Sequence, residues 1–258
     1  MDKQPTCLVV MGPYRSGTSL LSQILARLGA HFGGWQSLHP GPNRLNPGGY
    51  YQRPEIVLVN TRLIKSAGAS LGHPSSPVDT CRLADRTLLD GIDLSWSREH
   101  PVWAMKDPRF CVTLKLWIDA GKLDPGCTRI IRVRRSERSA ANSVLRHYEV
   151  RNFCGCDPEV ALQMTRSYDE AAEWHVRSLG LKACEMDYEF LVANRRQGIR
   201  ELAGFLDIDD GNLIDQCVQL IGKRRALLRH YLRKFRHRQF VWDGVVKTIG
   251  AWRRPSDD

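Results

Sequence analysis

The chain has 258 residues, 42% apolar and 26% charged, which supports a packed core and excludes a disordered or collagen-like chain. No apolar run approaches the roughly 18 residues of a membrane span, and the opening Met-Asp-Lys-Gln-Pro-Thr does not read as a secretory leader. The formal net charge of +10 is unevenly spread: eight basic residues and no acid fall within 223–238, and without those eight the other 30 basic residues nearly balance 28 acidic ones.

Such a run is either a solvated helix face or a surface that attracts a phosphate, a sulfated glycan or nucleic acid. Cys7, Cys111 and Cys184 sit in apolar stretches, where cysteine behaves as a small hydrophobe. No Cys-x-x-Cys occurs, and Cys154-Gly-Cys156 has no second Cys/His cluster beside it to complete a zinc site. The expectation is a cytoplasmic protein with reduced thiols.

Thr6–Met11 reads as a buried strand, followed by a glycine-containing loop and a helix from about Gly17. Leu20, Leu21, Ile24, Leu25 and Leu28 fall at helical spacing on that helix, and Gly29 is placed to end it. His39–Gly49, with three prolines and three glycines, reads as a long loop. Helices are expected over Arg53–Ser66 and Thr80–Ile92. A short strand, Val102–Met105, ends at Lys106-Asp-Pro-Arg109, and a helix runs from there to Ala120.

Further on, Arg129–Val133 and Lys182–Met186 read as strands, and Ser136–Val150, Pro158–Leu179 and Arg196–Leu206 as helices. This alternation predicts an α/β layered fold with a mainly parallel sheet. The expected organisation is one domain over 1–258, with its core in 6–206 and a helical, basic C-terminal segment over 210–258.

Gly12-Pro-Tyr-Arg-Ser-Gly17-Thr18-Ser19 lies between the first strand and its helix. In that setting a glycine-rich turn offers backbone N–H groups and a helix N-terminus to an anion. The spacing is that of a Walker A loop, but Thr18 stands where its lysine would be. A nucleoside triphosphatase needs that lysine on the β/γ-phosphates. Arg15 lies inside the loop instead, and its fork suits a terminal anionic group.

These residues resemble the 5′-phosphosulfate loop of sulfotransferases that use 3′-phosphoadenosine 5′-phosphosulfate (PAPS). Three later segments extend the resemblance over roughly residues 7–206. Asn46-Pro-Gly-Gly-Tyr-Tyr51 is similar to the acceptor-side segment of bacterial members, Lys106-Asp-Pro-Arg109 to a motif of the tyrosylprotein-type and bacterial branches, and Met186-Asp-Tyr-Glu-Phe-Leu191 to a short acidic segment before a late helix. The resemblance implies a P-loop-like three-layer sandwich and a PAPS-dependent transferase without a required metal. Its acceptor would be a hydroxyl on a small molecule, glycan or lipid.

It also implies that Arg15, Ser16, Gly17, Thr18 and Ser19 hold the 5′-phosphosulfate. An arginine ending a strand and a serine eight residues on would hold the 3′-phosphate. Arg135 with Ser143 fits that spacing, and Arg134 with Asn142 is the alternative register. Arg15 and Lys106 are the implied cations on the leaving phosphate.

Relatives often carry a glutamate after the aromatic pair, where this chain has Gln52. Glu55, about one helical turn on, is the first candidate for the general base, and Asp107 and His39 are the others. The family's closing Arg-Lys-Gly tripeptide is absent; Arg236-His-Arg238 and Arg253-Arg254 are the basic groups nearest to it in kind. Tyr50, Tyr51, Trp35 and Trp96 are candidates to line an acceptor pocket.

Three other readings stand beside this one: a divergent P-loop kinase or NTPase, a basic nucleic-acid-binding module, and a pseudoenzyme that keeps the donor loop. The basic run interleaves only Tyr231 and Phe235 and matches no nucleic-acid motif, so nucleic acid is not an expected partner.

Overall fold

The computed structural model describes residues 5–38, 46, 48–97 and 99–221. The basic run 223–238, His39, the two late basic pairs and most of the loop expected over 39–49 lie outside these residues. Four parallel strands form the sheet: β1 (Thr6–Met11), β2 (Val102–Lys106), β3 (Thr128–Arg134) and β4 (Lys182–Asp187), in the order β2-β1-β3-β4. The α/β expectation holds.

Strand alternation explains the layers. Side chains along a strand point to opposite faces, so Cys7, Val9 and Met11 enter one apolar core while Leu8 and Val10 enter the other. The first core is closed by α2 (Pro54–Ser66), α3 (Pro77–Leu83), α4 (Phe110–Asp119) and α6 (Pro158–Ser178), with Trp117 and Tyr168 fully buried within it. The second is closed by α1 (Thr18–Arg27), α8 (Arg195–Phe205) and helical residues 211–221, through Leu21, Ile24, Leu202 and Cys217. Both faces of β1 are therefore buried, which is why its sequence is a continuous apolar run. This is the three-layer, P-loop-like arrangement.

Two expected helices end early. Thr80–Ile92 is divided: α3 starts at Pro77 behind its Ser76 cap and stops at Leu83, and Asp85 caps a separate short 3₁₀ turn over Arg86–Leu89. Each cap satisfies N–H groups that a continuous helix would have bonded internally. Ser136–Val150 is cut to α5 (Glu137–Leu145), with a 3₁₀ segment at Val150–Cys154. A short helix absent from the sequence reading, α7 (Tyr188–Ala193), follows β4, and the Asp187 side chain accepts from the Phe190 N–H at its start. Among the described residues no helix is long and apolar enough to cross a membrane.

Candidate active site

All four strands run the same way, so their C-terminal ends share one edge, where open α/β sheets place ligands. Each strand delivers a group to that edge: the 12–17 loop after β1, Lys106 at the end of β2, Arg135 just past β3 and Tyr188 just past β4. They line a cavity of about 690 Å³, together with Thr18, Ser19, Ser139 and Ser143. Among the described residues its lining carries five cationic side chains, Arg15, Lys106, Arg109, Arg135 and Arg146, against one acid, Glu149. Such a cleft focuses positive potential and concentrates anions.

The loop's backbone explains its composition. Gly17 has φ +107°, a left-handed conformation that side-chain-bearing residues rarely adopt, and a Cβ there would lie 2.2 Å from the Tyr188 ring. Gly12 lies against the Val133 carbonyl, 2.3 Å from where a Cβ would be. Arg15 also adopts a positive φ of 67°, and residues held in such regions cost about 1–3 kcal/mol.

Surrounding contacts hold that strained loop. Arg135 donates from Nη1 to the Arg15 carbonyl at 2.9 Å, and its guanidinium carbon lies 4.7 Å from the Tyr188 ring centroid. Arg15 Nε donates to Ser143 Oγ at 3.2 Å. Burial lowers the Arg15 pKa from its ordinary value.

Helix α1 begins at Thr18 behind Gly17, which has no side chain to cap it, and its first turn holds no acid. The first N–H groups of a helix lack intrahelical partners, and the dipole favours negative charge there. Ser16 is fully buried, and its hydroxyl has no hydrogen-bond partner among the described residues. Lys106 Nζ lies 3.4 Å from Ser19 Oγ and 6.0 Å from the Tyr50 ring centroid. Glycine backbone, orphaned donors and two neighbouring cations together form a cradle suited to an anionic group.

The sequence candidates therefore divide. Arg15, Gly17, Thr18, Ser19, Lys106, Arg135 and Ser143 all line one cavity, and Ser16 is buried in the loop behind them. Arg135 and Ser143 both bond to Arg15, one to its carbonyl and one from its guanidinium. Glu55 is not part of the lining: it sits in the first turn of α2, where its carboxylate accepts from Arg53 Nε.

Asp107, fully buried, accepts from the Arg109 N–H, Arg109 Nη1, Asn60 Nδ2 and Gln52 Nε2 at 2.9–3.5 Å. Three of these donors converge on Oδ1, and Asn60 alone takes Oδ2. Asn60 in turn accepts from Thr113 and Trp117, each at 2.8 Å. Asp107 is thus the hub that fixes the turn after β2 and aims Lys106.

Of the aromatic candidates, Tyr50 lines the cavity, whereas Tyr51 packs edge-on against Phe32, and Trp96 packs on Trp103 beneath Arg53. Sequence reasoning missed His147. Its Nε2 lies 2.9 Å from the Tyr50 hydroxyl, and burial, with Arg15 next, pushes its pKa down to about 4. Nothing in the sequence marks His147, since the pairing joins positions 97 apart. Ser139, one turn before Ser143 on α5, was also missed; its i, i+4 spacing from Ser143 was the available signal.

No family model matches the chain, and no curated protein matches it. Similar solved structures include a sulfotransferase domain from the curacin biosynthetic pathway, at TM-score 0.48 and 15% identity over 84% of this chain and 78% of that one. Sulfotransferase STF9 from Mycobacterium avium is similar at TM-score 0.47 and 16% identity, over 88% of this chain and 68% of that one. The sulfotransferase domain of the Synechococcus PCC 7002 olefin synthase is similar at TM-score 0.47 and 16% identity, over 81% and 75% of the two chains.

Proposed function

We propose that this protein transfers a sulfuryl group from PAPS to an acceptor hydroxyl. The observation that carries the reading is the convergence of Arg15, Lys106 and the Gly17–Ser19 helix start on one cationic cavity, in a loop without the Walker lysine. A nucleoside triphosphate needs that lysine on its β/γ-phosphates, and Thr18 stands in its place. A single leaving phosphate has less charge to balance, and two cations with backbone dipoles suit it.

In this reading Arg15, Thr18 and Ser19 hold the 5′-phosphosulfate, and Lys106 stabilises charge gathering on the bridging oxygen as the bond to sulfur breaks. The reaction is an in-line displacement in which the protein chiefly positions the partners and meets developing charge with fixed donors. Ser139, Ser143 and Arg135 serve the 3′-phosphate side, and Arg135 also braces the loop through the Arg15 carbonyl. Pro54, Val57, Leu58, Val150 and Phe153 give the cavity one apolar wall. That wall suits the hydrocarbon or aryl body of a hydroxyl acceptor.

Calorimetry with adenosine 3′,5′-bisphosphate, the desulfated product, tests the donor site. Binding is expected without magnesium and in preference to ATP. Arg15→Ala removes a charge-assisted interaction worth about 1.5–3 kcal/mol, so affinity falls about 10- to 150-fold. Binding of ATP alone, and only with magnesium, overturns the reading in favour of a kinase or NTPase.

A further inference from the structure

The proton of the acceptor hydroxyl needs a destination, and the cavity narrows the choice. Asp107 is fully buried behind the lining, with three donors on Oδ1 and one on Oδ2, and Glu55 is turned to Arg53 outside the lining. Glu149 is an exposed residue on the lining and accepts from the neighbouring Tyr148 hydroxyl. Tyr50 and His147 instead lie inside the cavity wall, 8% and 2% exposed. Tyr50 faces Lys106, the cation next to Ser19 of the anion loop, so the phenol stands beside the place where sulfur is transferred.

We propose that Tyr50 and His147 form the proton-accepting relay of this site, with Tyr50 touching the acceptor hydroxyl and His147 storing the proton. This rests on the sulfuryl-transfer reading. With the ring proton on Nδ1, Nε2 of His147 accepts from the Tyr50 hydroxyl over the 2.9 Å contact. As the acceptor oxygen bonds to sulfur, the sulfur–oxygen bond to the donor's 5′-phosphate breaks, and its electron pair stays on the phosphate. The acceptor proton passes to the Tyr50 oxygen while the Tyr50 proton passes to Nε2. His147 is left as imidazolium and returns its proton to water after product release.

The charged and titratable groups facing His147 make this relay sensitive to the donor. Arg15 approaches from the loop after β1, and Tyr50, backed by Lys106, from the acceptor-side segment. Tyr148 and Glu149 follow on its own segment, the Tyr148 ring stacked at 5.8 Å. Arg15 disfavours imidazolium and Glu149 favours it. An anionic donor on Arg15 offsets the unfavourable charge, so the relay takes a proton more readily with donor in place than without it. A base built this way is held back until the donor is bound.

The test follows the His147 ring by NMR in the full chain, with and without saturating adenosine 3′,5′-bisphosphate, using His147→Gln to assign its signal. Binding by calorimetry with an upward shift of at least about one pKa unit, tenfold in imidazolium population, is expected. Binding with no shift, or a downward one, overturns the relay and leaves the donor site standing. Absence of bisphosphate binding removes the donor reading and the relay with it.

Turnover of PAPS with 2-naphthol and with hexanol as probe acceptors then separates chemistry from folding. In His147→Gln and Tyr50→Phe, kcat is expected to fall about 10²- to 10⁴-fold, the usual worth of general base catalysis. The Kd of the bisphosphate stays within twofold, and the acid limb of the kcat–pH profile is lost. Unchanged kcat, or a rise in KM alone, overturns the assignment.

Discussion

Replacing Gly17 with alanine tests the loop through two separable costs. At φ +107° an alanine is strained by about 1–3 kcal/mol, and its Cβ would fall 2.2 Å from Tyr188 Cδ2, too close for any carbon pair. Relieving that overlap moves a ring that stacks beneath Arg135, a rearrangement of the overpacking kind worth about 1–3 kcal/mol. Gly29 supplies the control: its φ of +99° imposes similar strain, but nothing lies within 4 Å of an added Cβ. Any gain from a stiffer unfolded chain is common to both variants and cancels.

Urea unfolding is therefore expected to rank Gly17→Ala below Gly29→Ala by about 1–3 kcal/mol. Adding Tyr188→Ala to Gly17→Ala should recover most of that gap, as a double-mutant cycle on two touching residues would show. Gly17→Ala should also weaken bisphosphate binding at least about tenfold, the worth of one charge-assisted bond, while Gly29→Ala leaves it unchanged. Equal stability of the two glycine variants, with equal binding, would refute the claim that Tyr188 fixes the loop.

Asp107→Asn puts an amide among four donors and leaves the buried Arg109 without its charge partner, a change worth about 3–5 kcal/mol; denaturant titration reads it. Arg132→Met on β3 should cost less, because the acids around that buried guanidinium, Asp169, Glu173 and Glu185, are partly exposed and can be hydrated. Burial pushes the pKa of the fully buried His175 down from its ordinary value to about 3. The unfolded chain binds this proton first as pH falls, so stability drops below about pH 6.5 and continues to drop towards pH 3, at up to about 1.4 kcal/mol per pH unit. His175→Leu should reduce the slope of the urea midpoint over about pH 6.5–4.5, leaving the part that His147 contributes, and an unchanged slope would refute the assignment. Leu58→Asp on the apolar wall should raise KM for 2-naphthol while leaving bisphosphate affinity intact, with steady-state kinetics as the check.

What the sequence disclosed follows from how local each cause is. β1 matched its expected span and α1 began within a residue of expectation, because an all-apolar run and a 3.6-residue stripe are written in consecutive residues. The loop between them was legible for the same reason. The helix expected over Ser136–Val150 stopped at Leu145 because its next residues turn toward the cavity, where His147 bonds to Tyr50. Glu55 had the right chemistry and a plausible spacing, yet Arg53, two residues earlier, binds it. Asp107 also had the chemistry of a base, yet it is buried in a network built with Asn60, Thr113 and Trp117, far from it in the chain. Local patterns reveal elements, while partners far apart in the chain reveal roles.

The walls of the anion loop are spread along the chain. The loop itself is complete by Ser19, but Lys106, Arg135, Ser143 and Tyr188 come roughly 90 to 170 residues later. During synthesis, at about 5–20 residues per second, the loop leaves the ribosome about 8 to 34 s before its last wall does. An emerging fragment thus holds a strained turn with neither brace nor counter-surface. Donor capture becomes possible only once β4 and Tyr188 are in place, so a bound bisphosphate would report that synthesis has passed Tyr188 and that the sheet has closed around the loop.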